Sequence, residues 1–141
     1  MLHFVTLVFL VRISDAHTER DESTKPDGEF KPNVKNSVVF LYSMVLTAST
    51  FMINYEGEPF MKPLKENTKL YKTLGFMWVV AAVAIFDASD LVREWLQLVP
   101  FPTAEFQFQV AGALVVDTAL CFAVERTTKF LYRRFRERKQ G

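Results

Sequence analysis

The feature that most constrains this chain is a stretch of 19 residues without a charged side chain, Ser37–Tyr55. As an α-helix rising about 1.5 Å per residue, this stretch spans the roughly 30 Å hydrocarbon core of a lipid bilayer. Two further long apolar segments follow, Leu70–Phe86 and Phe106–Val124, and a shorter one, Leu2–Val11, opens the chain. Because none of the four carries the polar stripe of a helix in water, the sequence predicts an all-α fold of polytopic transmembrane helices, with three full spans and a partial N-terminal span.

The lysines and arginines between the apolar segments predict the orientation of these spans. Eleven of them lie in the 56–72 linker and in the tail after Val124, whereas five lie in the connections 14–36 and 87–105. Short loops rich in Lys and Arg stay on the cytosolic side of a membrane. We therefore expect the linker and the C-terminal tail to face the cytosol.

Asp117 is the principal candidate functional residue, because it lies in the middle of the last apolar segment. A carboxylate near mid-span costs at least about 2.5–3.5 kcal/mol on insertion scales, so it should be buried against other helices rather than face lipid. Two interpretations remain open. Asp117 could hold a proton or line a cavity, or it could accept a structural hydrogen bond from the second helix, for example from Ser43, Thr47 or Ser49.

Other polar residues give weaker indications. Cys121 is the only cysteine, which excludes an internal disulfide and a Cys-rich metal site. His3 and His17 are too few, and too distant in sequence, to predict a metal site with Cys121, which is expected to be a small packing residue. Asp87 is expected to end the third segment in the headgroup region. No catalytic, cofactor-binding or metal-binding residue is predicted.

The last two connections have recognisable local patterns. Apolar residues recur at helical spacing within Asp90–Val99, which predicts a short interfacial helix with Trp95 at headgroup level. After two prolines, Thr103 is positioned to cap a new helix. A continuous helix over Ala104–Arg138 would be about 50 Å long and must project beyond the bilayer core.

The short first segment allows two interpretations. Small residues at Ser14 and Ala16 are typical of a signal-peptidase cleavage site, but no Lys or Arg precedes the apolar run. The alternative is that the chain starts inside a transmembrane helix because it is a fragment.

The join after the first full span carries a resemblance to a known family. Its most specific residues, within the run Ser49–Phe60, are Asn54, Tyr55, Gly57, Pro59 and Phe60. The likeness continues over Glu29–Asn33, Asn36–Phe40, Pro63–Asn67, Lys69–Tyr71, Leu98–Pro100, Glu105–Gln107 and Leu114–Asp117. Together these residues resemble the class-five, subgroup-A P-type ATPases of the endoplasmic reticulum, which were historically described as cation or manganese transporters and are now viewed as transmembrane-helix dislocases.

The resemblance implies that this chain is the C-terminal transmembrane support region of such a pump, beginning inside its seventh core helix. The predicted organisation is a partial transmembrane helix at 1–13, a lumenal connection at 14–36, a transmembrane helix at 37–55, a cytosolic linker at 56–69, a transmembrane helix at 70–88, a lumenal connection with an interfacial helix at 89–105, a transmembrane helix at 106–125 and a basic cytosolic tail at 126–141. The expected location is the endoplasmic reticulum membrane.

The chain departs from the family in its chemistry. It contains neither the Asp-Lys-Thr-Gly-Thr phosphorylation loop nor a nucleotide-binding domain, so it is not expected to be catalytic by itself. ATP and magnesium are expected only in a full-length pump, and no cofactor is expected in this chain. The expected partners are membrane lipids and the remaining helices of the transport domain, and nucleic acid is not expected because the basic tail follows a membrane helix. The alternative function is that of a free-standing small membrane interaction or assembly protein.

Overall fold

Helices make up all the regular structure in the described part of the chain. The computed structural model describes residues 2–18, 31–55, 63–64 and 66–140. The five helices are α1 (Leu2–Asp15), α2 (Val34–Asn54), α3 (Thr68–Ile85), α4 (Asp90–Trp95) and α5 (Ala104–Gln140). About 80% of the described residues are helical, which confirms the predicted all-α class. Three helices, α2, α3 and α5, are long and apolar enough to cross a membrane, and α1, with 14 residues, is shorter than a full span.

Local capping residues determine where the long helices begin. The side chain of Asn33 accepts a hydrogen bond from the backbone N–H of Asn36, 2.8 Å away, at the start of α2. At the start of α5, the Thr103 hydroxyl accepts from the N–H of Phe106 at 3.2 Å, as the sequence predicts. Each side chain pairs one of the four backbone N–H groups that lack a partner at a helix N-terminus.

The helices α2 and α5 form the centre of the bundle, and each contacts both α1 and α3. They run parallel, because Ser37 near the start of α2 accepts a hydrogen bond from Val99 just before α5, and Ser49 lies 3.1 Å from the Thr118 hydroxyl. The helix α1 runs antiparallel to both. Its end at Asp15 forms an ion pair with Lys35, and its beginning lies beside Tyr42 and Asp117.

The outward faces of the bundle are apolar. Large hydrophobic side chains are exposed on every long helix, including Phe4, Phe51, Phe76 and Val116. Soluble monomers rarely expose so continuous an apolar surface, whereas hydrocarbon chains solvate it well. The ion pairs Asp15–Lys35 and Arg93–Asp87 lie together at one end of the bundle. This distribution is that of a bundle surrounded by lipid with a polar end in the headgroup region.

The short helix α4 lies outside the bundle, between α3 and α5. None of its six residues is buried, and Leu91 and Trp95, four residues apart on one face, are each 76% exposed. Residues at this spacing share a face of a helix. The arrangement suits a segment lying in the membrane interface, with an amphipathic tryptophan at headgroup level.

The helix α5 is longer than the bilayer requires. Its 37 residues form one continuous helix, which at about 1.5 Å per residue is about 55 Å long. The hydrocarbon core is only about 30 Å thick, so the distal turns extend beyond it. The exposed ion pair of Lys129 with Glu125, 2.9 Å apart, lies on this distal part.

Phe106 is expected to be a main packing residue of the bundle. Its side chain is 1% exposed and contacts the rings of His17 and Phe101, with centroids 4.9 and 5.2 Å away. Phe106→Ala should lower the free energy of unfolding by about 3–5 kcal/mol, since it leaves a cavity that the neighbouring helices cannot fill. Reversible unfolding in mixed SDS and lipid micelles, followed by circular dichroism, measures this loss.

Phe108 provides the matched control two residues away on the same helix. It is 67% exposed, and its ring meets that of Phe86 edge-on with centroids 5.6 Å apart. Phe108→Ala should therefore cost no more than about 1 kcal/mol. Equal losses for the two variants would contradict the packing described for the start of α5.

Candidate functional site

The candidate site is formed where α1 crosses the middle of α5. Asp117 is 4% exposed, and both of its carboxylate oxygens have partners on α1. The hydroxyl of Thr6 donates to Oδ1 at 2.8 Å, and Nδ1 of His3 lies 2.7 Å from Oδ2. His3 and Thr6 are three residues apart, so they share one face of α1 and reach the same carboxylate. The structure thus buries Asp117 against protein rather than against lipid.

The partners suggested from the sequence for Asp117 are wrong. The hydroxyls of Ser43 and Thr47 donate to carbonyls one turn earlier in their own helix, those of Val39 and Ser43. Ser49 likewise bonds the Val45 carbonyl and meets Thr118 instead of Asp117. The physical reason is that α1, rather than α2, faces Asp117, and a serine or threonine in a helix readily bonds the carbonyl four residues before it.

The sequence indicated no metal site formed by His3, His17 and Cys121, and it did not reveal that the fold brings His3 beside Cys121. Nε2 and Nδ1 of His3 are 3.4 and 3.8 Å from Sγ of Cys121. One ligand atom from each of His3, Asp117 and Cys121 can be chosen so that all three atoms lie within 4.8 Å of one another. More than 110 positions separate His3 from the other two residues, so their proximity exists only in the folded bundle.

The backbone of α1 is held at this point by α2. The hydroxyl of Tyr42, which is 3% exposed, donates to the carbonyl oxygen of His3 at 2.6 Å. Near the start of a helix a carbonyl normally also accepts the N–H four residues later, so this is an additional bond from outside the helix. It fixes the position of His3 along the bundle axis relative to α2, and therefore relative to Asp117 on the neighbouring α5.

The cluster contains the residue types of a Cys–His–Asp nucleophile arrangement, but its thiol is not oriented for proton transfer to the imidazole. A general base must accept the thiol proton along the lone pair of Nε2, in the plane of the ring. A sulfur in line with that lone pair and 3.4 Å from Nε2 would be about 5.5 Å from Nδ1. The observed distance of 3.8 Å places Sγ beside the ring instead. The geometry therefore does not favour nucleophilic catalysis.

A second polar cluster, which the sequence did not reveal, joins the ends of three helices. Asp87, which follows α3 with φ of 50°, accepts from Arg93 of α4 at 3.3 Å and from Gln107 of α5 at 3.1 Å. Arg93 also pairs with Asp90 at 2.5 Å. Asp87 was expected to be only a helix terminus in the headgroup region, and in the structure it also fastens α4 to the bundle.

The residues that carry the family resemblance are only partly described. Asn54 is the last residue of α2, and Tyr55 follows it in extended conformation. Gly57, Pro59 and Phe60 lie outside the described residues. The resemblance of the join to this family therefore rests on its sequence rather than on its structure.

Comparison with known proteins finds relatives along nearly the whole chain. An endoplasmic reticulum transmembrane helix translocase of Schizosaccharomyces pombe is 33% identical over 132 residues, which is 94% of this chain and 11% of the relative. Another, from Aspergillus fumigatus, is 32% identical over 96% of this chain and 10% of the relative. A probable manganese-transporting ATPase of Arabidopsis thaliana is 35% identical over 93% of this chain and 11% of the relative.

These matches confirm the resemblance predicted from the sequence. No protein-family model matches the chain. The chain spans about a tenth of the length of the curated relatives it matches. Three apolar helices and the compartment named for the relatives support a multi-pass protein of the endoplasmic reticulum membrane.

Thr6→Val should destabilise the attachment of α1 to α5. The substitution keeps the shape of the side chain but removes the hydroxyl that donates to Asp117. Losing an interhelical hydrogen bond within a membrane costs about 1–2 kcal/mol, and unfolding in mixed micelles measures it.

Thr47→Val is the matched control, because the exposed Thr47 hydroxyl donates to the carbonyl of Ser43 within its own helix. It should change the free energy of unfolding by less than about 0.5 kcal/mol. If both variants were equally stable, the hydrogen bond to Asp117 would not contribute to holding α1.

Proposed function

The chain is homologous along about 95% of its length to class-five, subgroup-A P-type ATPases of the endoplasmic reticulum, and from this we propose that it serves as the C-terminal transmembrane support region of such a pump. The observation that carries the proposal is the extent of the match, which at 94–96% of the chain takes in the three long apolar segments and the connections between them. The pump itself would drive the dislocation of transmembrane helices with ATP and magnesium bound elsewhere. This region would contribute scaffold to that reaction rather than chemistry.

The packing of the bundle supports a scaffold role. The central helix α2 buries eight of its residues, and α5 contacts α1, α2 and α3 along one face. Buried polar contacts from Ser49 and Asp117 tie α5 to α2 and α1. Helices joined by such hydrogen bonds move together, which is what a support for more mobile helices requires.

The exposed faces are suited to the proposed partners, lipids and the remaining transmembrane helices of the pump. Phe4, Val5 and Phe9 are exposed on α1, while Leu7 and Leu10 pack inward. An apolar groove of about 130 Å³ opens between α3 and α5, lined partly by Ala81, Ala82 and Ala111. Small side chains at such a surface let another helix approach closely.

We also propose that the distal end of α5 and the 56–69 linker face the cytosol. The proposal is supported by the excess of Lys and Arg in these two segments, ten against five in the opposite connections. The parallel course of α2 and α5 adds support, since it puts the end of α2 and the distal part of α5 at the same end of the bundle.

The support role can be tested with a chimera of the Schizosaccharomyces pombe relative. Its matching 132-residue segment is replaced by this chain, and the chimera is expressed in cells that lack the relative. We expect ATP hydrolysis and growth comparable to those of the parent. Deletion of the same segment is the control and should abolish both. A chimera that reaches the endoplasmic reticulum in normal amount but is inactive would overturn the proposed role.

The size of the natural product distinguishes a pump from a free-standing small protein. An antibody against residues 126–141 should detect a protein roughly ten times larger than the 16.3 kDa of this sequence, as the length of the relatives implies. Detection of a 16.3 kDa product alone would favour the small interaction protein instead.

Glycosylation mapping tests the orientation. Glycosylation acceptor sites introduced one at a time within residues 19–30 and after residue 141 should be modified only at the first position, since the transferase acts on the lumenal side. The measurement is the shift in gel mobility that an endoglycosidase reverses. Modification at the C-terminus would reverse the proposed orientation.

A further inference from the structure

We propose that His3, Asp117 and Cys121 form a binding site for a zinc-like divalent cation between α1 and α5. The proposal concerns these three side chains alone. The metal site is inferred from the arrangement of these side chains rather than from the relatives, so its test is independent of the proposed role as a pump support.

The donor atoms fit the preferences of zinc. Zinc is bound by imidazole nitrogen, thiolate sulfur and carboxylate oxygen, and this cluster offers one of each. Hard cations such as magnesium and calcium prefer all-oxygen sites, whereas a thiolate and an imidazole favour zinc or cobalt. Three protein ligands leave a fourth position for water or another ligand.

Modest adjustments bring the ligand atoms to the distances of a tetrahedral site, the main one being a turn of the His3 ring, because Sγ of Cys121 lies beside that ring. With bonds of about 2.0–2.3 Å to the metal, the ligand atoms of a tetrahedral zinc site lie about 3.3–3.6 Å from one another. The two ring nitrogens of His3 are 3.4 and 3.8 Å from Sγ of Cys121. Nδ1 lies 2.7 Å from the Asp117 carboxylate, so that pair must separate by about 0.6 Å. The ring of His3 is 37% exposed, and a turn about its χ2 bond directs a nitrogen at the ion.

Charge also favours an ion at this depth. A divalent cation bound by one carboxylate and one thiolate gives a site without net charge, and charge is what the membrane interior penalises most. Cys121 loses its thiol proton when it binds the ion, and that proton passes to solvent or to a neighbouring base. The ion then replaces the His3–Asp117 hydrogen bond with two bonds to metal, and the single proton of the neutral imidazole stays on the ring nitrogen that does not bind the ion.

Neighbouring residues already orient two of the ligands. Thr6 donates to the second oxygen of Asp117 at 2.8 Å, and Tyr42 holds the backbone carbonyl of His3 at 2.6 Å. Groups that orient metal ligands in this way typically change metal affinity about 10- to 100-fold when removed. The site therefore has both its ligands and part of the support that metal sites require.

Cobalt binding to the full chain in lipid nanodiscs, under reducing conditions, tests the proposal. Cys121 is the only cysteine, so a cobalt–thiolate charge-transfer band can arise only from this residue. We expect that band, together with the intense visible bands of tetrahedral cobalt, and we expect stoichiometric zinc to displace both. Bound zinc should also protect Cys121 from alkylation by a maleimide.

Variants identify the ligands. Cys121→Ser should abolish the charge-transfer band, and His3→Gln and Asp117→Asn should each weaken cobalt binding at least about tenfold. Thr6→Val should weaken it about tenfold through the orientation of Asp117. The matched control is His17→Gln, because His17 lies at the other end of α1 and contacts Phe106. Its affinity should equal that of the parent.

Circular dichroism of each sample separates loss of a ligand from loss of the fold. The proposal is overturned if the helical parent chain gives no charge-transfer band with cobalt in molar excess. It is equally overturned if His3→Gln and Asp117→Asn bind cobalt as tightly as His17→Gln does, since the thiolate would then bind the metal alone.

Discussion

The interaction on which the arrangement of this bundle most depends is the pairing of a carboxylate in apolar surroundings. Asp117 occupies a position where an unpaired charge is costly, so it requires partners from another helix. It finds them on α1, where Thr6 and His3 reach its two oxygens. The described part of α1 is positioned among the longer helices by such specific contacts. Lipid surrounds all the helices equally and cannot favour one alignment over another.

Further polar contacts explain why each helix has a defined position along the axis of the bundle. Tyr42 binds the backbone of α1, and Ser49 meets Thr118 across the parallel pair α2 and α5. At the other end, Val99 donates to Ser37, and Asp87 joins α3 to α4 and α5. Polar contacts thus lie at two levels of the bundle, with apolar side chains such as Leu41 and Val110 packed between them. Two levels of contact resist both sliding and rotation of the helices.

The sequence was sufficient to predict the features that depend on local composition. The absence of charge in Ser37–Tyr55 indicated a span, and Thr103 after two prolines indicated a helix start, because both signals are contained within a few residues. The family resemblance was also visible, since it depends on the order of residues. The partners of Asp117 were not predictable in this way. They depend on which helix face lies opposite, and His3 is separated from it by 114 positions.

The polar contacts that were missed share one property. His3, Thr6 and Tyr42 lie on segments that appear simply apolar, and a single polar residue in such a segment has several helices it could face. Periodicity gives the direction of a side chain relative to its own helix, but not relative to its neighbours. The spacing of His3 and Thr6 on one face was the only available signal, and it acquires meaning once Asp117 is known to lie opposite.

The uninterrupted length of α5 has a mechanical consequence. From Asp117 to Gln140 the helix continues for about 35 Å, so a tilt of about 10° at the level of the carboxylate would displace the far end by about 6 Å. A small angular adjustment among the packed helices thereby becomes a large displacement outside the membrane. Conversely, a displacement of the distal turns corresponds to only a small rotation within the membrane. The helix acts as a lever whose fulcrum is the contact with α1.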